Sequence, residues 1–515
     1  MADLLVGIDV GTQSSKGVLV RADGTLVADA RAEHGMDVPR PGWAEQDADA
    51  VWWADVCAIA RRLVAAVPAG DRIAGVGVSA IGPTVLPLDD AGRPLRRAIL
   101  YGVDTRASAQ IAALEGRHGA ENLAAWSGMD LSSQATGPKI AWLAEHEPEV
   151  HRAARWFVTA TTYLVHCLTG AMVIDAHTAS HFNPLFDRSA IGWSDRFADG
   201  ITSIDRLPEI GWPADAAGVV TPEAAVATGL PAGVPVAVGT VDALAEGVSV
   251  GVSQPGDLMV MYGSTTFFIL VTDAPVEAGS LWLTAGAERG QWALAAGLAT
   301  GGSALAWFRD RFARELVAAE RAGGASSFAA LSAEAAAAEA AAGDDPDHED
   351  ILFLPYLSGE RTPINDPHAR AVIAGASLHS TRGDLYLALL QGIAYATRAN
   401  LEAMRDLNTP IRRVVAVGGG TADPLLLQLV SDACAIEQVI PGSTIGAARG
   451  DALLGGLASG VLARADVGGW IADDRIVRPR PAALAGHDRR ERAFRELYGA
   501  TRSIVHDLAG GSTET

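Results

Sequence analysis

"VGIDVGTQSSKGVLV", residues 6–20, reads as two strands joined by a small polar turn. Apolar residues surround Asp9, Gly11 and Thr12 interrupt the run, and a second apolar run returns from Gly17 to Val20. Asp9 therefore stands in a strand that should be buried. An unpaired charge held away from water is costly, so this carboxylate needs a partner.

The same pattern returns about 250 residues later. "GDLMVMYGSTTFFILVTD", starting at Gly256, is again an apolar strand, a Gly-Ser-Thr-Thr turn and an apolar strand. One hairpin type used twice predicts two domains of related architecture, with the boundary near 248–256. The opening segment gives strands over 4–10, 17–21, 26–31, 73–79 and 85–89. Between them "DADAVWWADVCAIARRLVAAV" has helical spacing, with Asp47 or Asp49 as its cap. The Trp52-Trp53 pair reads as core. This is a mixed α/β sheet with helices outside it. Further on, 381–407 predicts a long helix, "RRVVAVGGG" a strand ending in three glycines, and 343–350 an acidic loop. The last residues read as a frayed tail.

Composition excludes several functions. The 515 residues are 49% hydrophobic and carry a net charge of −21, so the chain lacks the basic footprint of a nucleic-acid binder. Three cysteines stand far apart, which argues against a disulfide framework or a structural zinc site. No apolar stretch reaches membrane-spanning length before Gly, Pro or charge interrupts it. The expectation is a cytoplasmic protein without nucleic-acid or membrane partners.

Three glycine-rich turns follow apolar strands: Gly11-Thr12-Gln13-Ser14-Ser15, Gly263-Ser264-Thr265-Thr266 and Gly418-Gly419-Gly420. Glycine admits a phosphate close to backbone N–H groups, and Ser or Thr adds hydroxyl donors. Any one of them alone reads as a plain hairpin turn; the three together point to a nucleotide. A Walker A loop is excluded, because Lys16 precedes Gly17 and Lys139 precedes Ile140. GxGxxG spacing is missing, so a Rossmann unit is excluded as well.

Two carboxylates stand out. Asp9, beside a phosphate-type turn, is placed to help hold Mg²⁺, the alternative being a structural cap. Asp242 follows the strand "VPVAVGTV" and precedes a small-residue helix, which suits a general base or a helix cap. His177 and His181 are the close histidine pair, and Phe182-Asn183-Pro184 makes them loop residues.

Together these residues resemble an FGGY-family carbohydrate kinase, nearest to the xylulokinases. The resemblance runs from "GIDVGTQSSKGVL" through "PGWAEQDADAVWW", "GTVDALAEGVSVG", "YGSTTFF", "LFLPYLSGERTPIND" and "VAVGGGTADPLLLQLVSDA" to "GAARGDALL". It implies two ribonuclease-H-like domains of the actin/hexokinase type, with MgATP and sugar in a cleft between them. The implied division is 1–248 on the sugar side, 249–480 on the ATP side, and 481–515 as a C-terminal helix and tail. By the same resemblance Asp9 binds Mg²⁺, and the turns at Gly11, Thr12, Gln13, Ser14 and at Gly263, Ser264, Thr265, Thr266 hold phosphates. Gly418, Gly419 and Gly420 lie against adenosine, Asp242 is the catalytic base, and Asp104 and Arg106 lie near the sugar. The implied partners are a small-molecule sugar and ATP, with a homodimer as one assembly open to it.

The chain departs from the xylulokinase pattern at its sugar loops. Gly82 and Pro83 stand where a Met-His pair contacts the sugar, and Tyr101, Gly102, Val103 and Asp104 replace a Trp-Asn-Asp pattern. The expected reaction is phosphorylation of a ketopentose, D-xylulose to D-xylulose 5-phosphate. The rival readings are a kinase for ribulose, gluconate or glycerol, and a non-kinase actin-like ATPase.

Overall fold

The computed structural model describes residues 2–342, 350–442, 445–470 and 473–510. The acidic stretch at 343–349 and the tail at 511–515 lie outside the described residues. The chain forms two compact units. The first comprises Met1–Pro255, Val271–Ala293 and Ile445–Ala472; the second comprises Gly256–Leu270, Leu294–Thr444 and Asp473–Thr515. The chain thus passes between units five times, first between Pro255 and Gly256.

The first unit opens with β1 (Asp3–Val10), β2 (Ser14–Arg21) and β3 (Leu26–Glu33), followed by α1 (Ala54–Ala65) and β4 (Arg72–Ala80). Later come β5 (Ala216–Val219), β6 (Pro235–Ala237), β7 (Thr240–Val241) and α2 (Asp242–Ser249). The sheet runs β5-β6-β4-β1-β2-β3, with β7 also paired to β4. β1 is antiparallel to β2 and parallel to β4.

The second unit repeats this plan with β8 (Asp257–Tyr262), β9 (Thr266–Thr272), β10 (Trp292–Leu298), α3 (Gly302–Phe312), α4 (Arg382–Asp406), β11 (Arg413–Val417) and β12 (Gln438–Pro441). β8 is antiparallel to β9 and parallel to β11, which pairs parallel with β12. The order β10-β9-β8-β11-β12 matches β3-β2-β1-β4-β6. The helix expected over 381–407 is α4, capped by Thr381 in a reciprocal box with Asp384.

The alternation of β1 decides what each face does. Leu4, Val6, Ile8 and Val10 point into a core shared with Val56, Ile59 and Leu63 of α1. Each such fully buried side chain contributes about 1.5–3 kcal/mol. Trp52 joins this core, and its Nε1 donates to Gln46 Oε1 at 2.9 Å. Asp47 caps the helical stretch by accepting from the N–H groups of Asp49 and Ala50, while Asp49 accepts from the Tyr163 hydroxyl.

The opposite face holds Leu5, Gly7 and Asp9 on β1, and Gly75, Gly77 and Ser79 on β4. Against it lies α5 (Ala447–Ala458). A β-carbon on Gly7 would overlap the carbonyl oxygen of Ala448, one on Gly75 that of Gly455, and one on Gly77 that of Asp451. Glycine on the strands lets the helix backbone sit directly on the sheet. Gly77→Ala is therefore expected to destabilise the protein by about 1–3 kcal/mol or more, since the Asp451 atoms its β-carbon would strike belong to backbone. Gly116→Ala, where a β-carbon meets nothing within 4 Å, is the control and should leave the melting temperature unchanged or higher.

Candidate active site

Strand register and α5 together bring three carboxylates to one end of the first sheet. Asp9 is level with Ser79 on β4, and Ser79 is level with Thr240 on β7, two residues before Asp242. Ser79 Oγ lies 3.1 Å from Asp9 Oδ1 and 2.8 Å from Asp451 Oδ2. Asp451 is delivered by α5 and is fully buried, and its Oδ1 has no hydrogen-bond partner. Asp242 is the first residue of α2 rather than its cap, and its Oδ1 accepts from the Ala243 N–H at 2.7 Å. One helical turn on, Glu246 brings a fourth acid close enough to feel the Asp9 charge.

These acids disturb one another. Burial, and then the Asp9 charge, push the Asp242 carboxyl up to about 8. Burial raises Asp9 to about 6, against the pull of Ser79, Lys16 and His34. Burial followed by Asp9 lifts Glu246 to about 7 and holds Asp451 well above the usual carboxylate range. Among the described residues no three His, Cys, Asp or Glu side chains converge into a cage for a metal ion. The donor set fits Mg²⁺, which keeps several waters and uses one or two carboxylates together with substrate phosphates.

The raised carboxyls fix a pH response. Between the ordinary carboxylate range near 4 and the folded values of about 6 to 8, the folded protein binds more protons than the unfolded chain. Stability should then fall as pH rises from about 5 to 7, on the order of 1 kcal/mol or more per group. Lys139, pushed down to about 7 by burial, adds stability with rising pH only above that window, whereas His181 and His487, held down by burial to about 3 and about 4, add it up to about 6.5. The carboxyl contribution is therefore read as a difference: in melting curves without divalent ions, Asp451→Asn should lose less stability than wild type between pH 5 and 7. An Asp451→Asn curve parallel to that of the wild type would overturn this account.

The turn at Gly11, Thr12, Gln13 and Ser14 closes through a Gly11 N–H to Ser14 carbonyl bond of 3.1 Å. Gln46 Nε2 donates to the Thr12 carbonyl at 3.1 Å, and Thr12 Oγ1 lies 3.2 Å from the Tyr101 hydroxyl. Beyond Tyr101, the Asp104–Arg106 pair is buried. Arg106 meets Asp104 at 2.7 Å and Glu45 at 2.8 Å, and its guanidinium lies over Trp43 and near Trp142. Asp104 also accepts from the Ala44 N–H at 2.7 Å, while Lys139 Nζ donates to the carbonyls of Leu100 and Tyr101. The pair thus braces the loop 100–106.

Gly82 and Pro83 follow β4 beside Val241. A β-carbon on Gly82 would overlap Val241 Cγ1, so a Met-His replacement there would displace the residue next to Asp242. His177 corrects the loop expectation. It sits on the short helix Ala176–Ala179, is 4% exposed, and lies 2.9 Å from the Ala285 carbonyl and 3.0 Å from Thr284 Oγ1.

In the second unit, the turn at Gly263, Ser264, Thr265 and Thr266 meets the start of α3. The N–H groups of Gly301 and Ser303 donate to the Ser264 carbonyl at 2.9 Å, and that of Gly302 to Gly263 at 2.9 Å. Gly418 takes φ +88°, and a β-carbon there or on Gly420 would strike Tyr262. Tyr262, Gly263, Gly301, Gly302 and Gly420 line one hollow, floored by Leu305, Ile393 and Leu426. Two of the three glycine turns therefore meet at a single site, next to a helix N-terminus suited to phosphate.

A family model for the N-terminal domain of FGGY carbohydrate kinases matches residues 4–248, and one for the C-terminal domain matches 258–459. The chain belongs to the FGGY family of carbohydrate kinases. It is 28% identical over 514 residues to a xylulose kinase of Lactococcus lactis, covering 98% of both chains. It is 29% identical over 493 residues to a glycerol kinase of Nocardia farcinica, covering 92% of this chain and 94% of that one. The crystal structure of a xylulose kinase from Rhodospirillum rubrum superposes with a TM-score of 0.89 at 29% identity, over 98% of this chain and 100% of the other. The FGGY chain is thus an ATP-dependent carbohydrate kinase with the two-domain fold of its relatives. Among the described residues no helix is long and apolar enough to cross a membrane.

Sequence reasoning did not single out Ser79, Glu246, Asp451, or Gly301 and Gly302. Glu246 was accessible, because its i+4 spacing from Asp242 puts both on one helix face.

Proposed function

We propose that this kinase transfers the γ-phosphoryl group of MgATP to a terminal hydroxyl of a ketopentose, with D-xylulose to D-xylulose 5-phosphate as the leading reaction. The observation that carries this is Asp242: a half-buried carboxyl with one oxygen held by its own helix and an affinity for protons raised to about 8. A general base works best when its pKa lies near the operating pH. Its other oxygen takes the hydroxyl proton as the substrate oxygen bonds to the γ-phosphorus and the bond to the β–γ bridging oxygen breaks, releasing ADP. Asp9 would hold Mg²⁺ through water, with residues 11–14 and 263–266 on the phosphates and 418–420 against the adenosine. Bound there, the ion neutralises charge on the phosphate oxygens. Asp104 and Arg106 shape the sugar side by fixing the loop that starts at Tyr101.

Glycerol is the second acceptor, favoured by a glycerol kinase relative as similar as the xylulose kinase one. Gly82 and Pro83 bring no imidazole to the acceptor, so discrimination among hydroxyl patterns should be loose. The test is ADP release with pentuloses, hexuloses, glycerol and sugar acids, followed by identification of the phosphorylated carbon. D-xylulose should raise the rate by orders of magnitude over MgATP alone. The same ADP rate with and without every acceptor would overturn the kinase reading, and a clear preference for glycerol or gluconate would overturn the ketopentose one.

A further inference from the structure

The stretch "LSGERTP", residues 357–363, carries part of the sequence resemblance but no step of the transfer. In the second unit it is stitched to the residues that lead from β10 to α3 and end at Gly301 and Gly302 of the hollow. Glu360 Oε1 accepts from the Ala299 N–H at 2.6 Å and from the Arg361 N–H at 2.8 Å. Thr362 Oγ1 accepts from the Gly297 N–H at 2.8 Å and donates to Asn400 Oδ1 on α4 at 2.6 Å. The Thr300 hydroxyl donates to the Pro355 carbonyl. Glu360, Thr362 and Thr300 are all buried.

Residues 299 and 300 are thus fixed immediately before the two glycines whose N–H groups bind the carbonyls of Ser264 and Gly263. Glu360 is in turn held at its own backbone, which exchanges N–H to carbonyl bonds of 2.8 and 2.9 Å with Asp366. The Asp366 carboxylate receives the Tyr498 hydroxyl at 2.7 Å and lies 2.7 Å from His506 Nε2, both on α6 (Leu484–Leu508). A backbone N–H left without an acceptor away from water is costly, so the strand end moves if Glu360 Oε1 is removed. We propose that Glu360 is a positioning residue for the nucleotide. Through Ala299 it sets where Gly301 and Gly302 meet the turn at residues 263–266, and so shapes the hollow. Oε1 accepts in either protonation state of the carboxyl, so the contact does not depend on titration. Glu360 acts through the backbone of residues 299–302 and not on the reacting atoms.

The inference rests on the assignment of ATP to this hollow within the kinase reading, and calorimetry of ATP binding without acceptor tests it apart from transfer. Glu360→Ala should weaken ATP binding roughly 10- to 100-fold, the scale on which a misplaced binding group acts. The KM for the best acceptor from the panel should stay within about twofold. Glu360→Gln keeps an acceptor oxygen for both N–H groups and should return the ATP Kd to within about threefold of wild type. Thr300→Val removes the second stitch while keeping the shape of the side chain, and should weaken ATP binding about threefold or more. Tyr498→Phe is the stability control. It takes a buried hydrogen bond from the far end of the loop, so it should lower the melting temperature yet leave the ATP Kd within about twofold. If Glu360→Ala does not fold, Thr300→Val decides. An ATP Kd within about twofold of wild type in folded Glu360→Ala or in Thr300→Val would overturn the proposal. So would a loss in Glu360→Gln as large as in Glu360→Ala, or an equal loss in Tyr498→Phe. ADP release by the wild type that ignores every acceptor would instead overturn the kinase reading and leave the Kd series standing.

Discussion

Asp242→Ala should lose phosphoryl transfer while still binding nucleotide. Removing a positioned general base costs about 10² to 10⁴ in rate. The residues assigned to nucleotide at 11–14, 263–266 and 418–420 lie in turns apart from Asp242, which starts α2. ATP affinity by calorimetry should therefore change little as kcat collapses. The fold should not suffer, because the variant removes a carboxyl that burial and Asp9 already disfavour as a charge. A melting temperature equal to or above wild type is the expected companion result. Asp242→Asn sharpens the experiment, since the amide keeps an oxygen for the Ala243 N–H but cannot take the proton. Near-wild-type transfer in a folded Asp242→Asn protein would mean that another group accepts it.

The hairpins at the start of each unit were legible because alternation and a glycine turn are local signals. β1 with β2, and β8 with β9, follow from short contiguous stretches, 3–21 and 257–272. What pairs with them in parallel was not legible, since β4 and β11 arrive from about 60 and 150 residues away. The same limit hid the return of Val271–Ala293 and Ile445–Ala472 to the first unit. The docking of α5 on Gly7, Gly75 and Gly77 is carried by absent side chains, so hydropathy cannot register it. Asp9 and Asp242 could be found because each is an acid at the end of an apolar strand. Asp451 follows Arg449 and Gly450 in a helix whose spacing says nothing about the site, and only the fold places it 2.8 Å from Ser79.

Asp9→Asn is expected to stabilise the protein and disable it at once. The amide oxygen can keep the Ser79 hydroxyl bond of 3.1 Å, so the end of the sheet should hold its shape. The negative charge that helps raise Asp242, Glu246 and Asp451 disappears. Removing one of several buried like charges should raise stability by about 1 kcal/mol, read as a higher melting temperature near pH 7. Transfer should fall about 10²-fold, the scale on which loss of one preorganised electrostatic contact acts. The Mg²⁺ concentration for half-maximal rate should rise roughly tenfold, as when a residue ordering a metal's surroundings is removed. What activity remains should carry the mark of Asp242: its carboxyl, freed from the Asp9 charge, ionises at lower pH, so the acid limb of kcat/KM moves down. Misfolding would lower both melting temperature and rate, and a purely structural Asp9 would leave the Mg²⁺ response and the acid limb unmoved. Only a carboxylate that serves the metal and burdens its neighbours predicts all four changes in these directions.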